Sequence, residues 1–406
     1  MQYNINAASD GGIFGANATS YQPGDVINLS GNYSYIYFEK LKGTASNPII
    51  LQATGPVTLS NGFDFKDCQF VKLNGLIGGV KSITIDQNNS NSSAVAVSIH
   101  GYSSDIEVSG LIIKNCGYGS WCKNEEFTDA NLSNWVLNNI SFHDFEMYNL
   151  ASHGFYYGAT EYPNKSRPVQ IDGVNVYYNP SMLGNIKIYN GIIRSVGRNG
   201  VMLCIAATGQ NEIYNIDADV CGLENNDQQG AGIQLGGFTS CYVHNNTINH
   251  TYLHGIKSFG GDTVRIENNV VSNSGNNTVQ QLNWPQNICI AQDPNYTGTM
   301  FFTIKNNQLS FPAKDVGNIQ VYKGTGNFSD KNEICGNTGT VTVEAGISYL
   351  TTTCSPVVTP PPTPTPVPAP VVVDKGFYTD KSGKRVYWLM YSDHSWKEAN
   401  SKYQPL

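Results

Sequence analysis

Apolar residues alternate with polar ones along the first 355 residues in one recurring phrase: apolar, any, apolar, any, then Gly, Asp or Asn. It reads Val71-Lys-Leu-Asn-Gly75, Ile106-Glu-Val-Ser-Gly110, Ile140-Ser-Phe-His-Asp144 and Ile186-Lys-Ile-Tyr-Asn190. It continues as Asn211-Glu-Ile-Tyr-Asn215, Cys241-Tyr-Val-His-Asn245, Val264-Arg-Ile-Glu-Asn268 and Phe302-Thr-Ile-Lys-Asn306. The steps between copies are 35, 34, 46, 25, 30, 23 and 38 residues. Period-two alternation predicts strands with one side chain in and the next out. A shortest step near 23 residues, lengthened by insertions, fits one coil of a single-stranded right-handed parallel β-helix.

A second phrase follows in each coil: His153-Gly-Phe-Tyr-Tyr157, Asn199-Gly-Val-Met-Leu203, Ala231-Gly-Ile-Gln-Leu235, His254-Gly-Ile-Lys-Ser258, Gln286-Asn-Ile-Cys-Ile290 and Gly317-Asn-Ile-Gln-Val321. Alternation places Phe155, Val201, Ile233, Ile256, Ile288 and Ile319 in an inward column. Tyr156, Met202, Gln234, Lys257, Cys289 and Gln320 form the outward one. The Gly or Asn just before each inward residue is expected to supply a left-handed turn between sheets. Asn-Asn pairs, among them 245–246, 268–269 and 306–307, suit turns whose side-chain amides bond from coil to coil. The repeat predicts about ten to twelve coils, roughly 50 to 55 Å long at about 4.8 Å per coil.

Composition changes the picture in three ways. Charged residues make up 14% of the chain, against about 25% in ordinary globular proteins, which argues against a mostly helical fold. Net charge −7 excludes nonspecific nucleic-acid binding, and no apolar run is long enough for a membrane span. Met1-Gln2-Tyr3-Asn4 has neither a basic nor an apolar signal region, so the secreted-type composition points to a leader replaced by Met1. The nine cysteines show no zinc or CxxC spacing. Cys116 and Cys221 share an inward column with Leu150 and Val196, so most cysteines are expected to be free and buried. Cys116 and Cys122 could instead bridge a loop.

A polyproline segment, Thr359 to Pro370, marks an extended linker over 355–373. The helix is therefore expected over 1–354 and a small aromatic β-hairpin module over 374–406, around Gly376-Phe-Tyr-Thr-Asp380 and Arg385-Val-Tyr-Trp-Leu-Met-Tyr391. So short a module scarcely builds its own core. It either docks on a surface partner or on its own main domain, or stays loosely ordered.

A solenoid is a scaffold, so chemistry is sought on its outward face and insertions. Gln234 and the aromatics Tyr156, Tyr157, Tyr162 and Trp284, with Arg167, suit an extended polysaccharide, whose sugars offer apolar faces to rings and hydroxyls to amides. Lys165, Tyr177 and Tyr178 sit in the same insertion as Tyr162, while Trp121 and Trp135 decorate an earlier coil and Trp284 a later one. Lys257 is the candidate proton-transfer group, with His254 and Tyr156 as expected neighbours one coil or less away. Asp262 follows in the next turn, and Arg198 is a candidate for charge stabilisation. Arg194 and Asp219, side by side in one column, are expected to form a structural ion pair. No cofactor motif is present. Glu224 and Asp227 are a weak candidate Ca²⁺ site, and under a hydrolase reading they are the paired carboxylates.

Leu41-Lys-Gly-Thr-Ala-Ser-Asn-Pro-Ile-Ile-Leu51, after Gln22-Pro-Gly-Asp25, resembles the opening of secreted bacterial pectate-lyase-like β-helix proteins, notably chondroitinase B and related alginate lyases. The resemblance implies a lysine base in a Lys-Ser strand, an arginine on the following coil and a calcium ion. His254-Gly-Ile-Lys257-Ser258 is similar to the lysine strand. The next coil reads Asn287-Ile-Cys289-Ile290, without the family's Arg-His-Gly. The expectation is an extracellular or surface-displayed protein that binds, and as a lyase-like enzyme processes, a polysaccharide. The alternative is a non-catalytic adhesin or fibre component of a bacterial or phage surface.

Overall fold

The computed structural model describes residues 1–5, 13–17, 20–88, 93–124, 132, 134–160, 162, 168–171, 174–177, 179–314, 316–351, 354, 372–379, 385–391 and 396–399. The chain divides into two compact units, Met1–Ile77 with Lys81–Ser355, and Pro356–Leu406 with Gly78–Val80. The first is a right-handed parallel β-helix whose main sheet system joins 31 strands. No α-helix occurs among the described residues.

Each coil contributes to three sheets. The first sheet carries the first phrase, and all eight copies stand in register: Val71 on Ile106, Ile106 on Ile140, and so on to Val264 on Phe302. A left-handed residue then turns the chain into the second sheet. It is Gly110, Asp144, Asn190, Asn215, Asn245, Asn268 or Asn306, each at φ between 53° and 75°. Only Gly, Asn and Asp take this conformation readily, which is why the phrase ends as it does. The third sheet carries the second phrase. Its twelve strands run from Ile13–Asn17 to Val341–Val343.

The expected amide ladder is present. Asn246 Nδ2 donates to Asn269 Oδ1 (2.9 Å), Asn269 Nδ2 to Asn307 Oδ1 (2.9 Å) and Asn307 Nδ2 to Asn337 Oδ1 (2.8 Å). The first three members are at most 1% exposed. Each amide also takes up backbone groups that the turn leaves unpaired, so the ladder meets the hydrogen-bonding demand of a buried bend.

The glycines of the second phrase act differently from expectation. Gly154, Gly200, Gly232 and Gly255 do not have positive φ. A Cβ on Gly154 would lie 2.3 Å from Gly200 O, and one on Gly200 2.6 Å from Gly232 O. These positions are glycine because neighbouring coils come too close for a side chain. The left-handed residues sit earlier, at Asn149, Ser195, Val220, His250 and Asn273.

The core is the column stack predicted: Phe155, Val201, Ile233, Ile256, Ile288 and Ile319 are all 0% exposed. Cys116, Leu150, Val196 and Cys221 share their inward column. Arg194 and Asp219 are in register, but Arg194 pairs with Asp217 while Asp219 accepts from His250 Nδ1 at 2.9 Å. The expected pair does not form.

In the second unit, Val372–Thr379 and Arg385–Tyr391 pair antiparallel, as the hairpin reading expects, and Trp396–Ala399 adds a third strand. Of the linker, only residues 372 and 373 are described, and they already belong to the first of these strands.

Cys68, Cys116, Cys122, Cys204, Cys221, Cys241 and Cys289 are free and buried, and Cys335 pairs with Cys354. Thiol titration should therefore find essentially no reactive group in the native protein, seven after unfolding without reductant and nine after reduction. A count near one without reductant would contradict the inward columns.

Candidate functional site

The outward column of the third sheet is continuous. In register it runs Tyr37, Asp64, Ser98, Trp121, Tyr156, Met202, Gln234, Lys257, Cys289, Gln320 and Thr342. Met202, Gln234 and Cys289 point outward yet are only 2%, 3% and 3% exposed. The central stretch is thus a floor beneath walls built by the connecting segments. After the strands, Tyr162, Phe238 and Tyr296 pack edge to face at 4.8 and 5.2 Å, and Tyr296 is bonded to Asp262. Before them stand Trp284 and the segment holding Glu224 and Asp227.

At the early end Trp121, Tyr156, Tyr118 and His153 form a ring cluster with centroids 5.0–6.3 Å apart. Buried Lys123 places Nζ 4.1 Å from the Trp121 centroid and 3.6 Å from that of Tyr156, a cation–π arrangement that fixes both rings.

At the late end Lys257 is half-buried, with Nζ 4.7 Å from the Phe259 ring. It has no ion pair among the described residues. Burial holds its pKa below the ordinary lysine value, partly offset by Cys289. His254 lies beside it, 3% exposed, its Nδ1 accepting from the Gln286 backbone N–H at 3.0 Å. That bond puts the ring proton of a neutral imidazole on Nε2, so His254 is a donor rather than a base. Trp284, 46% exposed, stands edge-on to His254 at 5.5 Å. Around this pair, Gln234 Oε1 and Gln286 Oε1 are buried with no hydrogen-bond partner among the described residues.

The other expected site residues fall elsewhere. Tyr157 points into the core, 0% exposed, with its hydroxyl 3.0 Å from Ser120 Oγ. It is the inward neighbour of outward Tyr156 and cannot touch a ligand. Tyr156 is three rungs from Lys257, roughly 14 Å at the coil spacing, not one. Arg198 is two rungs away and committed, with Nε to Glu224 Oε2 at 2.7 Å and NH1 to Gln229 Oε1 at 3.0 Å. The coil after Lys257 presents Cys289, not an arginine. The set Lys257, His254 and Arg198 is therefore not assembled; only the first two meet. Asp227 accepts from the Tyr252 hydroxyl at 3.1 Å. With Glu224 on Arg198, neither carboxylate is free to lead a hydrolase pair, and no cluster of three or more metal-ligating His, Cys, Asp or Glu occurs among the described residues. Arg167 lies outside the described residues.

Sequence reasoning missed a second feature. On the first sheet His143, Tyr189, Tyr214 and His244 stack face to face at 4.6, 4.8 and 4.9 Å, tilted by 11°, 4° and 6°. Their signal was the fourth position of the first phrase, His or Tyr in four successive copies. The rings consume one another's faces, and the flanking charges are paired, Lys72 with Glu107 and Lys187 with Glu212. This wall is closed on itself.

No protein-family model matches the chain, and no curated protein matches it. Among solved structures it is similar to an alginate lyase from Paenibacillus sp. str. FPU-7 (14% identity, 84% of this chain and 97% of that one, TM-score 0.40). It is similar also to the GH136 lacto-N-biosidase from Eubacterium ramulus (14%, 81% and 62%, TM-score 0.47). A third is the receptor-binding protein of bacteriophage Det7, a podoviral tailspike in a myovirus (11%, 96% and 81%, TM-score 0.29). The likeness is one of solenoid path. The class that the strand pairing itself defines is the right-handed parallel β-helix.

Burial pushes His153 and His254 down to about 3, helped by Arg198 and Lys123 at the first and Lys257 at the second; Gln229 and the Gln286 N–H oppose it. Unfolded, both titrate near 6.5. Below that pH the unfolded chain gains protons that the folded chain refuses, so stability falls as pH drops from 6.5 towards 3. The slope is about 1.4 kcal/mol per pH unit for each histidine. Glu107, held at about 2 chiefly by its bond to His143, adds a loss only below about pH 4.5. His244, also held down by burial, adds to this loss, and His143, held up against burial by Glu107 and Asp144, opposes it. Denaturation midpoints should thus fall between pH 6.5 and 4.5, and His153→Gln or His254→Gln should each make that fall shallower by about 1.4 kcal/mol per pH unit. A flat profile would mean that both rings are hydrated.

Proposed function

We propose that the third-sheet face binds an extended polysaccharide along the helix axis, outside the cytoplasm or at a cell surface. The observation that carries this reading is the pair of buried amide oxygens without partners, Gln234 Oε1 and Gln286 Oε1, beside an unpaired half-buried lysine and an exposed tryptophan. Leaving a polar group buried and unbonded costs about 1–3 kcal/mol. A ligand hydroxyl on each amide recovers that cost. Trp284 offers an apolar face to a sugar ring, and Lys257 Nζ an ammonium to a carboxylate or ring hydroxyl. The low charge density and Pro/Thr-rich stretch support surface display, with the C-terminal module docking on a surface partner. Among the described residues no helix is long and apolar enough to cross a membrane.

One observation favours a second reading, a lyase. Lys257 is desolvated and carries no carboxylate partner among the described residues, which suits a group that takes a proton from a uronate. Without an arginine on the next coil, charge stabilisation would fall to Lys257 itself and the floor amides.

The test is a glycan array with the full chain, followed by assay of any bound polymer for unsaturated uronate absorbance. Gln234→Ala should weaken binding about 3- to 10-fold and Lys257→Ala about 10- to 100-fold, the range for a neutral and a charged hydrogen bond. If unsaturated product forms, Lys257→Ala should lower its rate roughly 10²- to 10⁴-fold. Binding with no product supports the adhesin form of this reading; binding to no glycan overturns it.

A further inference from the structure

We propose a second, separate carbohydrate site at the turn from the third sheet into the first, taking an acidic sugar. A cavity of about 500 Å³ lies there, lined by Lys40, Lys42, Asp67, Gln69, Tyr102 and Trp135. Its walls come from successive coils, with Lys40 N–H on Lys66 O and Lys42 bridged to Gln69. The volume falls in the range of small-ligand clefts.

The lining is held in place by the chain itself. Trp135 Nε1 donates to Ser103 O at 3.1 Å, and its ring stands edge-on to Tyr102 at 5.4 Å and 80°. Asp67 Oδ1 accepts the Tyr102 N–H at 2.7 Å, and Gln69 Nε2 donates to Tyr102 O at 3.2 Å. Positioned side chains of this kind bind without paying much ordering entropy. Two exposed cations remain at the mouth. Lys40 has only Glu39, 3.7 Å away and shared with Lys66, and Lys42 has no ion pair among the described residues.

An indole and a phenol offer apolar surface to the C–H face of a sugar ring. Gln69 and the second oxygen of Asp67 suit its hydroxyls. The two lysines exceed the one carboxylate by a positive charge, so a ligand carboxylate balances the site. A uronate-class sugar combines all three features. Neither lysine belongs to the groove floor, and the coil before Tyr102 is five rungs from that of Lys257, about 24 Å along the axis.

Calorimetric titration of the full chain with digalacturonate, dimannuronate and neutral galactobiose tests the site. One of the two acidic disaccharides should bind at least tenfold more tightly than galactobiose, and 0.5 M salt should weaken it. Lys42→Glu, at an exposed position, should reduce that affinity at least tenfold without moving the denaturation midpoint, and Trp135→Phe should reduce it further. Lys257→Ala should leave it unchanged. Binding by neither acid, equal binding of the neutral sugar, or indifference to Lys42→Glu would overturn the proposal. Loss of disaccharide binding in Lys257→Ala would place the ligand in the groove, overturning this site and leaving the groove reading intact.

Discussion

Every feature of the first unit depends on coils stacking in register. Parallel strands pair residue on residue, so one slipped position would turn each inward side chain out. The buried asparagine ladder from Asn246 to Asn337 guards against that slip, because each amide meets its counterpart one coil away only in the native register. The glycine column guards it from the other side, since only glycine lets Gly154, Gly200 and Gly232 lie so close to the next coil's carbonyl. The result is a set of columns in which a side chain's neighbour comes from 17 to 46 residues away.

Those columns have different characters on different faces. On the first sheet valences are closed: rings stack from His143 to His244, and Lys72, Lys187 and Lys305 each meet a carboxylate. On the third sheet they are open at the floor, where the side-chain oxygens of Gln234 and Gln286 lack hydrogen-bond partners among the described residues. Pairing within the fold accounts for these first-sheet groups. It does not account for the floor oxygens, and under the proposed function a ligand would complete them.

Much of this was legible in the chain. Two-residue alternation gave both phrases and the inward and outward columns, because parity along a strand is a local property. Parity alone puts Tyr157 inside once Tyr156 is outside, and offering both as ligand contacts overlooked it. The departures lie where local pattern ends. Arg198 reaches Glu224 26 residues on, in the connecting segment of the next coil, and no periodicity encodes that partner. Distance along the axis counts coils rather than residues, so Tyr156 looked nearer to Lys257 than it is. Met202, Gln234 and Cys289 are outward but buried because loops cover them, and loop paths leave no repeat. The second-phrase glycines were read as turns because φ and close approach both select glycine.

The groove reading makes one demand that a compact pocket does not. The floor from Trp121 to Gln320 spans six coil steps, about 29 Å. Calorimetric affinity for a size series of the recognised glycan, from disaccharide upward, measures that demand directly. Affinity should climb with each added sugar until the ligand spans the floor and then level off. A disaccharide that binds the groove as tightly as the longest chain would contradict an extended polymer site.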